Sequence, residues 1–345
     1  MIEVVKELES PAMVKNEIPF TGRTYRDEIA AIVNGKDRSK ILAIVGPCSS
    51  DDPEAVIDYY QRLKPCADEI ADVITVVGRV YTCKPRTVST AEQYFGLVEK
   101  PDGADGAIDF AEGIKTAREL MVGVANIGFP IADEMLYPEN YVYMDDVLSL
   151  SVIGARCAED QFHRQLGSGV DGPLGIKNPT NGSLTIMNQS IMSAQSKQEF
   201  IYRGKHVSTP GNTATFGIMR GGTLGPNYHY EDLIKAYELN NRAFNTVVVD
   251  CNHSNSGKDW MLQRKIAKEV LFNKFNSERL KYFISGIMIE SYIKDGVASM
   301  YDDHYGASIT DPCLGIDKTI KLLHELAYTM QNNKAILTGA VPTHD

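Results

Sequence analysis

The stretch Val73-Ile-Thr-Val-Val77, followed by Gly78-Arg-Val-Tyr-Thr-Cys-Lys-Pro-Arg-Thr87, joins an apolar run to a cationic loop. A short run rich in β-branched residues and closed by glycine predicts a buried strand. Three cations follow within eight residues with no acid between them, namely Arg79, Lys84 and Arg86. The loop is either a basic surface segment or a clamp for phosphate or carboxylate, because arginine offers a planar fork and lysine a compact point charge.

The same unit of buried strand, polar loop and helix recurs along the chain. Apolar runs predict strands at residues 41–45, 73–80, 128–134, 151–156, 173–177, 215–220, 246–250 and 283–289, with an extra hairpin strand at 199–203. Helical spacing predicts helices at residues 24–33, 108–122, 141–150, 159–166, 184–196 and 316–331, and others that start at Pro53, Tyr230 and Asp259.

Eight strands that alternate with helices predict an α/β fold, specifically a (β/α)8 TIM barrel. The barrel is expected over residues 41–345, with residues 1–40 as an N-terminal extension that serves an oligomer contact or regulation. A doubly wound open sheet is the rival fold. No Gly-x-Gly-x-x-Gly follows the first strand, and no Gly-x-x-x-x-Gly-Lys-Ser/Thr is present.

The bulk composition excludes several classes of function. The net charge of −10 argues against general nucleic-acid binding and against an anionic membrane as a partner. No apolar run approaches the roughly 20 residues that span a bilayer, and the acidic N-terminus lacks a secretory apolar core. The six cysteines form no Cys-x-x-Cys pair, which favours a reducing cytoplasm. We expect a cytoplasmic homodimer or homotetramer.

Each predicted strand delivers a polar functional residue to its carboxyl end, where the chemistry of this kind of barrel lies. In chain order these residues are Cys48, Arg79, Glu134, Arg156, Lys177, Arg220, His253 and Glu290. Because one rim collects all eight strand ends, we expect these side chains to converge on one site.

The rim divides into two kinds of chemistry. Five cations would surround a small polyanion such as a phosphorylated acid: Arg79, Lys84, Arg156, Lys177 and Arg220. Gly221 and Gly222 would let backbone N–H groups approach phosphate oxygens. Four residues could converge on a divalent cation, for which their mixed S, N and O donors favour Mn, Fe, Co or Zn: Cys48, His253, Glu290 and Asp311.

Each candidate metal ligand also has a structural alternative. A buried Cys48 can serve core packing alone, and His253 can cap a strand end. Asp311, directly before Pro312, can be a helix N-cap. Glu290 can pair with a rim cation.

Eight short motifs occur in the order of one known family: Gly46-Pro-Cys-Ser49, Arg79-Val-Tyr with Lys84-Pro-Arg-Thr87, Ile153-Gly-Ala-Arg156, Ile176-Lys-Asn178, Arg220-Gly-Gly222, His253 with Asn255-Ser256, Met288-Ile-Glu-Ser291 and Ser308-Ile-Thr-Asp311. Over nearly the whole chain the sequence resembles the type I 3-deoxy-D-arabino-heptulosonate 7-phosphate (DAHP) synthases, most closely the alpha subgroup with its N-terminal extension. The Lys-Pro-Arg-Thr motif favours this family over the related 3-deoxy-manno-octulosonate 8-phosphate synthases.

The resemblance implies a transferase of the shikimate pathway that condenses phosphoenolpyruvate (PEP) with erythrose 4-phosphate. It implies that Arg86 and Thr87 hold the phosphorylated aldehyde and that Glu134 helps to position water. The metal ligands implied are Cys48, His253, Glu290 and Asp311, and the residues implied to hold PEP are Arg79, Lys84, Ala155, Arg156, Lys177 and Arg220. Lys84 is also a candidate for proton transfer, because crowding among cations can lower a lysine pKa.

The sequence departs from the family pattern after Thr87. The family usually continues with Gly-Trp-Lys-Gly over the acceptor, whereas this chain reads Val88-Ser-Thr-Ala-Glu-Gln-Tyr-Phe-Gly-Leu97. The segments at 135–141 and 200–220, which carry amino-acid feedback in regulated members, are shorter here, which argues against such inhibition. Two alternatives therefore stay open: a paralogue that uses a different aldehyde in secondary metabolism, and a non-catalytic barrel that binds phosphometabolites.

Overall fold

The computed structural model describes residues 1–86, 94–99, 101–102, 107–240 and 246–338. In these ranges eight parallel strands form a barrel, and the pairing of the first strand with the last closes it. The strands are β1 (Ile41–Gly46), β2 (Ile74–Arg79), β3 (Ile131–Glu134), β4 (Leu150–Ile153), β5 (Leu174–Lys177), β6 (Thr215–Met219), β7 (Val247–Asp250) and β8 (Ile284–Tyr292). The predicted (β/α)8 barrel is confirmed.

Helices separate the strands and cover the outside of the barrel. They are α1 (Pro11–Glu17), α2 (Arg26–Val33), α3 (Pro53–Glu69), α4 (Phe110–Ile127), α5 (Pro138–Tyr141), α6 (Gln161–Gly167), α7 (Leu184–Gln195), α8 (Tyr230–Leu239), α9 (His253–Ser256), α10 (Leu262–Phe275), α11 (Leu280–Phe283), α12 (Ile316–Asn332) and α13 (Lys334–Thr338). Within the described ranges, no helix has the length and apolar character needed to cross a membrane.

Short strands lie outside the barrel. A hairpin pairs Gln198–Tyr202 with Lys205–Thr209, which confirms the extra strand expected there. Pro101–Asp102 pairs with Ala107–Ile108, and Leu314–Gly315 adds to the end of β8.

The predicted helix at 141–150 is wrong. The chain makes only the short helix α5 before this point and then continues in turns as far as residue 147. The guanidinium of Arg118, which is fully buried, donates to the carbonyl oxygen of Tyr143 at 2.8 Å and pairs with Asp146 at 2.7 Å. The backbone N–H groups of Tyr143 and Val147 bond to carbonyls three residues back, at 3.1 and 3.0 Å, so the segment forms turns that Arg118 ties to α4.

Helix α2 closes the amino end of the barrel, which we call the floor. Ile29, Ile32 and Val33 of this helix are buried in the same apolar cluster as Leu42 of β1 and Phe216 of β6. The sequence placed α2 in an extension, and the division at residue 40 stays a prediction. In the fold this helix packs directly on the barrel interior.

Candidate active site at the carboxyl ends of the strands

A polar cleft with about 690 Å³ of open space lies at the carboxyl end of the barrel, which we call the mouth. Every predicted substrate-side residue that the structure describes lines it; Thr87 lies outside the described residues. The lining residues are Arg79, Tyr81, Cys83, Lys84, Pro85, Arg86, Glu134, Ala155, Arg156, Lys177, Arg220, His253, Lys258 and Asp311. Cys48 and Glu290 are fully buried beneath this cleft.

Three of the four predicted metal ligands form one cluster, and the fourth, His253, lies beside it. Ligand atoms of Cys48, Glu290 and Asp311 lie within 4.8 Å of one another. The Nε2 atom of His253 lies 3.5 Å from Glu290 Oε1. Strand register explains part of this arrangement. Gly46, the last residue of β1, pairs with Glu290 of β8. Cys48 follows Gly46 by two residues and therefore lies close to Glu290. One thiol and two carboxylates at this spacing, with an imidazole beside them, fit a borderline divalent ion such as Zn, Fe, Co or Mn.

The imidazole of His253 lies beside a second carboxylate. Its Nδ1 lies 2.8 Å from Oδ2 of Asp250, the fully buried last residue of β7. Metal-binding histidines commonly use their second nitrogen in this way. Burial acts to raise the pKa of Asp250, but the adjacent His253 overcomes that effect and holds it well below its usual range. Asp250 therefore stays ionised beside Nδ1, while the Nε2 of the same ring faces Glu290.

Three side chains hold the carboxylate and backbone of Glu290. Arg79 donates to its Oε1 at 2.8 Å, and Asn252 donates to its Oε2 at 2.6 Å. The Gln263 amide donates to the Glu290 carbonyl oxygen and accepts from the Glu290 N–H, both at 2.9 Å. Burial opposes ionisation, yet His253 and Arg79 keep the pKa of Glu290 below its usual value. Glu290 is therefore a fixed anion at the centre of the site.

Lys177 and Glu134 form a buried ion pair on the other side of the cleft, with Nζ 3.2 Å from Oε2. Although burial acts to raise the pKa of Glu134, Lys177 lowers it below its usual value. A glycine is required next to this pair, because a Cβ on Gly154 would lie 2.2 Å from Glu134 Oε1. The motif Ile153-Gly-Ala-Arg156 therefore leaves room for the carboxylate.

The expectation of a lowered pKa for Lys84 is wrong. Burial does act to lower it, but the Cys48 thiol, Glu290 and Asp311 raise the pKa above its usual value. Lys84 Nζ donates to Cys48 Sγ at 2.6 Å and lies 3.9 Å from Asp311 Oδ2. Anions therefore dominate the surroundings of this lysine, which is a stable cation.

Tyr81 was missed by the sequence analysis. Two cations lie over its buried ring. The Arg79 guanidinium is 3.8 Å and Lys177 Nζ is 5.3 Å from the ring centroid. Such cation–π contacts hold charges at a ring face. The residue follows Arg79 by two positions in the opening stretch, but its sequence gives no sign that the ring lies under two cations.

Two further predictions concern the second phosphate and the Gly221-Gly222 pair. Arg86 donates from Nε at 3.0 Å and from Nη2 at 2.8 Å to the carbonyl oxygen of Tyr94. Its contact with the second phosphate stays a prediction. The expected phosphate contact of the glycine N–H groups is wrong, because Gly221 N donates to Asn227 Oδ1 at 2.8 Å and Gly222 N donates to the Gly225 carbonyl at 2.9 Å.

Lys258 also lines the cleft and was not predicted. Its Nζ donates to Asp311 Oδ1 at 2.9 Å, opposite the contact of that carboxylate with Lys84. Burial acts against ionisation, but Lys84 and Lys258 hold the pKa of Asp311 well below its usual range. A lysine after Gly257 in a loop has no sequence pattern that distinguishes it from a solvated surface charge.

Comparison with known proteins gives a consistent result. The model of the DAHP synthetase I family matches residues 12–324. A phospho-2-dehydro-3-deoxyheptonate aldolase of Corynebacterium glutamicum is 35% identical, over 95% of this chain and 93% of its own length. The tyrosine-inhibited enzyme of that name from Schizosaccharomyces pombe is 37% identical, over 94% of this chain and 91% of its own.

The solved structures include one that is similar in both sequence and fold. Phospho-2-dehydro-3-deoxyheptonate aldolase from Francisella tularensis superposes with a TM-score of 0.89 at 32% identity, covering 96% of this chain and 99% of that one. The enzyme from Thermotoga maritima, at 17% identity and a TM-score of 0.58, shares the fold.

Proposed function

The chain belongs to the DAHP synthetase I family, and we propose that it condenses PEP with erythrose 4-phosphate to give DAHP and inorganic phosphate. The observation that carries the proposal is the cleft at the mouth, in which a cluster of cations faces the Cys48, Glu290 and Asp311 cluster with His253 beside it. Two anionic phosphorylated substrates can be held together only where cations offset their mutual repulsion.

The phosphate and carboxylate of PEP would lie among the cations at the ends of β2, β4, β5 and β6. Arginine supplies paired N–H donors for these groups and lysine a point charge. We assign this role to Arg79, Lys84, Arg156, Lys177 and Arg220, with Ala155 on the same wall. Arg86 and Thr87 would hold the phosphate of the aldehyde.

Cys48, His253, Glu290 and Asp311 would hold a divalent ion, which when bound supplies Lewis-acid polarisation of the aldehyde carbonyl. Two structural features support this assignment: the spacing of the ligand atoms and the carboxylate of Asp250 behind His253. The chemistry of the donors favours Mn, Fe, Co or Zn over Mg or Ca.

The condensation forms a bond from carbon 3 of PEP to the aldehyde carbon, and positive charge develops at carbon 2 of PEP. Water adds at carbon 2, and the resulting tetrahedral centre expels phosphate. Glu134 is ionised and at the cleft wall, so it can orient this water and accept its proton. Lys84 is a protonated cation beside Cys48, so its charge can stabilise the negative charge that develops on the aldehyde oxygen, which then takes a proton from water.

A second candidate is a paralogue that condenses PEP with another aldehyde. The observation that favours it is the sequence 88–97, which departs from the Gly-Trp-Lys-Gly pattern on the acceptor side. The groups that hold PEP and the metal would be the same in both cases, and only the fit of the aldehyde would differ. We also propose that the protein is cytoplasmic and assembles as a homodimer or homotetramer, with residues 1–40 as an N-terminal extension.

The test is a panel of phosphorylated and free aldehydes incubated with PEP and Mn²⁺, Co²⁺ or Zn²⁺. Loss of PEP, release of phosphate and product mass are followed together. Turnover with erythrose 4-phosphate supports the proposal, and failure with it alongside turnover of another aldehyde selects the paralogue. If no aldehyde is turned over while PEP still binds, the chain is a non-catalytic phosphometabolite-binding barrel.

A further inference from the structure

The turn that carries Arg220 is held by side-chain amides rather than by regular secondary structure. Four of its backbone groups are bonded in this way. Asn178 Oδ1 accepts from the Arg220 N–H at 2.8 Å, and Asn178 Nδ2 donates to the Gly221 carbonyl at 2.8 Å. Asn227 Oδ1 accepts from the Gly221 N–H at 2.8 Å. Asn255 Nδ2 donates to the Met219 carbonyl at 3.1 Å.

Asn178, Asn227 and Asn255 are also hydrogen-bonded to one another, and we call these three residues the amide cage. Asn227 Nδ2 donates to Asn178 Oδ1 at 3.2 Å, and the Asn227 N–H donates to Asn255 Oδ1 at 2.8 Å. All three are at least nine-tenths buried, with 0% of Asn178, 8% of Asn227 and 5% of Asn255 exposed. In a buried setting such bonds are expensive to leave unmade, so the cage has few alternative arrangements.

The cage connects the two halves of the candidate site. Asn178 directly follows Lys177 at the end of β5, and it fixes the backbone of Arg220 at the end of β6. Asn255 lies in α9, two residues after His253, and its Nδ2 also donates to the carbonyl oxygen of Asp250 at 2.8 Å. The cations and the metal-ligand histidine are therefore tied through the same three amides.

The backbone of the turn lies against the cage with no room for a side chain between them. Gly221 has φ +74°, a conformation that side chains rarely adopt, and a Cβ there would lie 2.8 Å from the backbone nitrogen of Asn255. Glycine is thus required for the close approach of the Arg220 turn to α9. Loss of one of the hydrogen bonds from the asparagine side chains would therefore displace the Arg220 backbone directly.

We propose that Asn178, Asn227 and Asn255 are positioning residues that set the Arg220 guanidinium against Lys177 and the metal-ligand side of the cleft. This rests on the proposed function, in which Arg220 and Lys177 bind PEP. The cage touches no substrate itself. It acts by fixing the backbone from which Arg220 extends, and its contribution is to PEP affinity rather than to the chemical step.

The test uses the isosteric change Asn178→Asp in the metal-loaded enzyme. The new carboxylate oxygen would face the carbonyl oxygens of Gly221 and Pro179, which Asn178 Nδ2 now approaches at 2.8 and 2.9 Å. Repulsion displaces the turn. Because Arg220 would hold PEP through charge-assisted hydrogen bonds, which are stronger than neutral ones, we expect KM for PEP and its Kd without aldehyde to rise roughly 10- to 100-fold, with kcat changed less.

Asn212→Asp is the matched control. Asn212 is 7% exposed, and its Nδ2 also donates to two carbonyl oxygens, those of Val170 at 3.2 Å and Gly172 at 2.9 Å. Its Oδ1 accepts a backbone N–H, from Ala214 at 2.9 Å. It precedes β6 at the opposite end of the barrel. We expect a comparable loss of thermal stability but an unchanged KM and Kd for PEP.

Asn227→Asp provides a milder variant should Asn178→Asp not fold. It keeps the acceptor for the Gly221 N–H and places a carboxylate oxygen against one acceptor, Asn178 Oδ1, where Asn178→Asp faces two, so the rise in PEP Kd should be smaller but in the same direction. An unchanged Kd in folded Asn178→Asp or Asn227→Asp, or an equal rise in Asn212→Asp, overturns the positioning role. Failure of the wild-type chain to bind PEP at all would instead overturn the proposed function.

Discussion

The mouth and the floor of the barrel bury very different side chains. At the mouth, buried charges face one another, as in the pairs Arg79–Glu290 at 2.8 Å and Lys177–Glu134 at 3.2 Å. At the floor, α2 covers the strands with Ile29, Ile32 and Val33, all at most 2% exposed. The same eight strands therefore end in an ionic site on one side and in an apolar plug on the other.

This difference separates function from stability. Removing two charges from water costs several kcal/mol per ion, and their mutual attraction repays that cost only in part, so a buried ion pair is weak evidence for stability. Burial of an aliphatic side chain contributes about 1.5–3 kcal/mol. We expect changes at the mouth to act on activity and changes at the floor to act on folding.

The largest effect is expected from the proposed metal ligands. Cys48→Ala and His253→Ala each remove one donor from the set and should lower kcat/KM by about 10³-fold or more, because a metal supplies several kcal/mol of transition-state stabilisation. Bound metal, measured by elemental analysis after gel filtration, should fall in parallel. The barrel should stay folded, as judged by circular dichroism.

Cys66→Ala is the control for loss of a buried thiol. Cys66 is 4% exposed on α3, away from the mouth, and its Sγ lies 4.0 Å from the carbonyl oxygen of Ile320. This variant should keep full metal content and activity. Full activity of the wild-type enzyme after the metal has been stripped would contradict the ligand assignment.

The next effect is expected at the floor. Ile29→Ala leaves a cavity between α2 and the strands and should lower the free energy of unfolding by about 2–5 kcal/mol, measured by urea denaturation. The kcat/KM of the folded enzyme should match the wild type. A loss of activity in the folded variant would show that the two ends are coupled.

The sequence allowed the fold and the direct strand-end residues to be predicted. Cys48, Arg79, Glu134 and His253 lie at or just after strand ends, and strand periodicity alone brings such residues to one rim. The amide cage could not be predicted from the sequence, because its hydrogen bonds join side chains to backbone groups of different loops. Loop conformation, which the hydrophobic pattern does not encode, decides which N–H meets which amide.

The two wrong site predictions have the same origin. Gly221 was expected to offer its N–H to phosphate, but the Asn227 amide already accepts it. Lys84 was expected to have a lowered pKa, because the nearby cations are close in sequence. The groups that raise the pKa, the Cys48 thiol and the carboxylates of Glu290 and Asp311, come from other parts of the chain and are near only in the fold.

A buried lysine on the floor side gives a pH-dependent contrast. Lys274 of α10 is 4% exposed and donates to the carbonyl oxygens of Lys281 and Ile284, at 2.5 and 2.8 Å. Burial, helped by the charge of Lys281, lowers the pKa of Lys274 to about 7. The pKa of Lys84 at the mouth, beside Cys48 and Asp311, is instead raised.

The sign of the effect on stability follows from proton binding. Between about pH 7, the folded-state pKa of Lys274, and roughly pH 10.4, the ordinary lysine pKa, the unfolded chain holds a proton that the folded chain lacks. The free energy of unfolding should therefore rise with pH across this window, by at most about 1.4 kcal/mol per pH unit. Lys274→Met should remove this slope in urea titrations, whereas Lys265→Met, exposed on the same helix, should keep it.

The smallest effect compares two aromatic rings that each carry two cations. At the mouth Tyr81 faces Arg79 and Lys177; Tyr282 of α11, at the amino end, faces Arg38 at 4.1 Å and Lys281 at 5.2 Å from its centroid. A cation–π contact contributes about 0.5–2 kcal/mol. Tyr81→Leu should therefore raise the KM for PEP roughly 2- to 30-fold, whereas Tyr282→Leu should lower stability without changing KM.

Tyr81→Phe separates the ring from its hydroxyl. Within the described residues the Tyr81 hydroxyl is buried without a hydrogen-bond partner, so its removal breaks no bond there. If the ring positions the two cations, the phenylalanine variant should bind PEP nearly as the wild type does, and only the leucine variant should lose affinity. A similar loss in both variants would show that the hydroxyl, not the ring face, is the group that matters at the mouth.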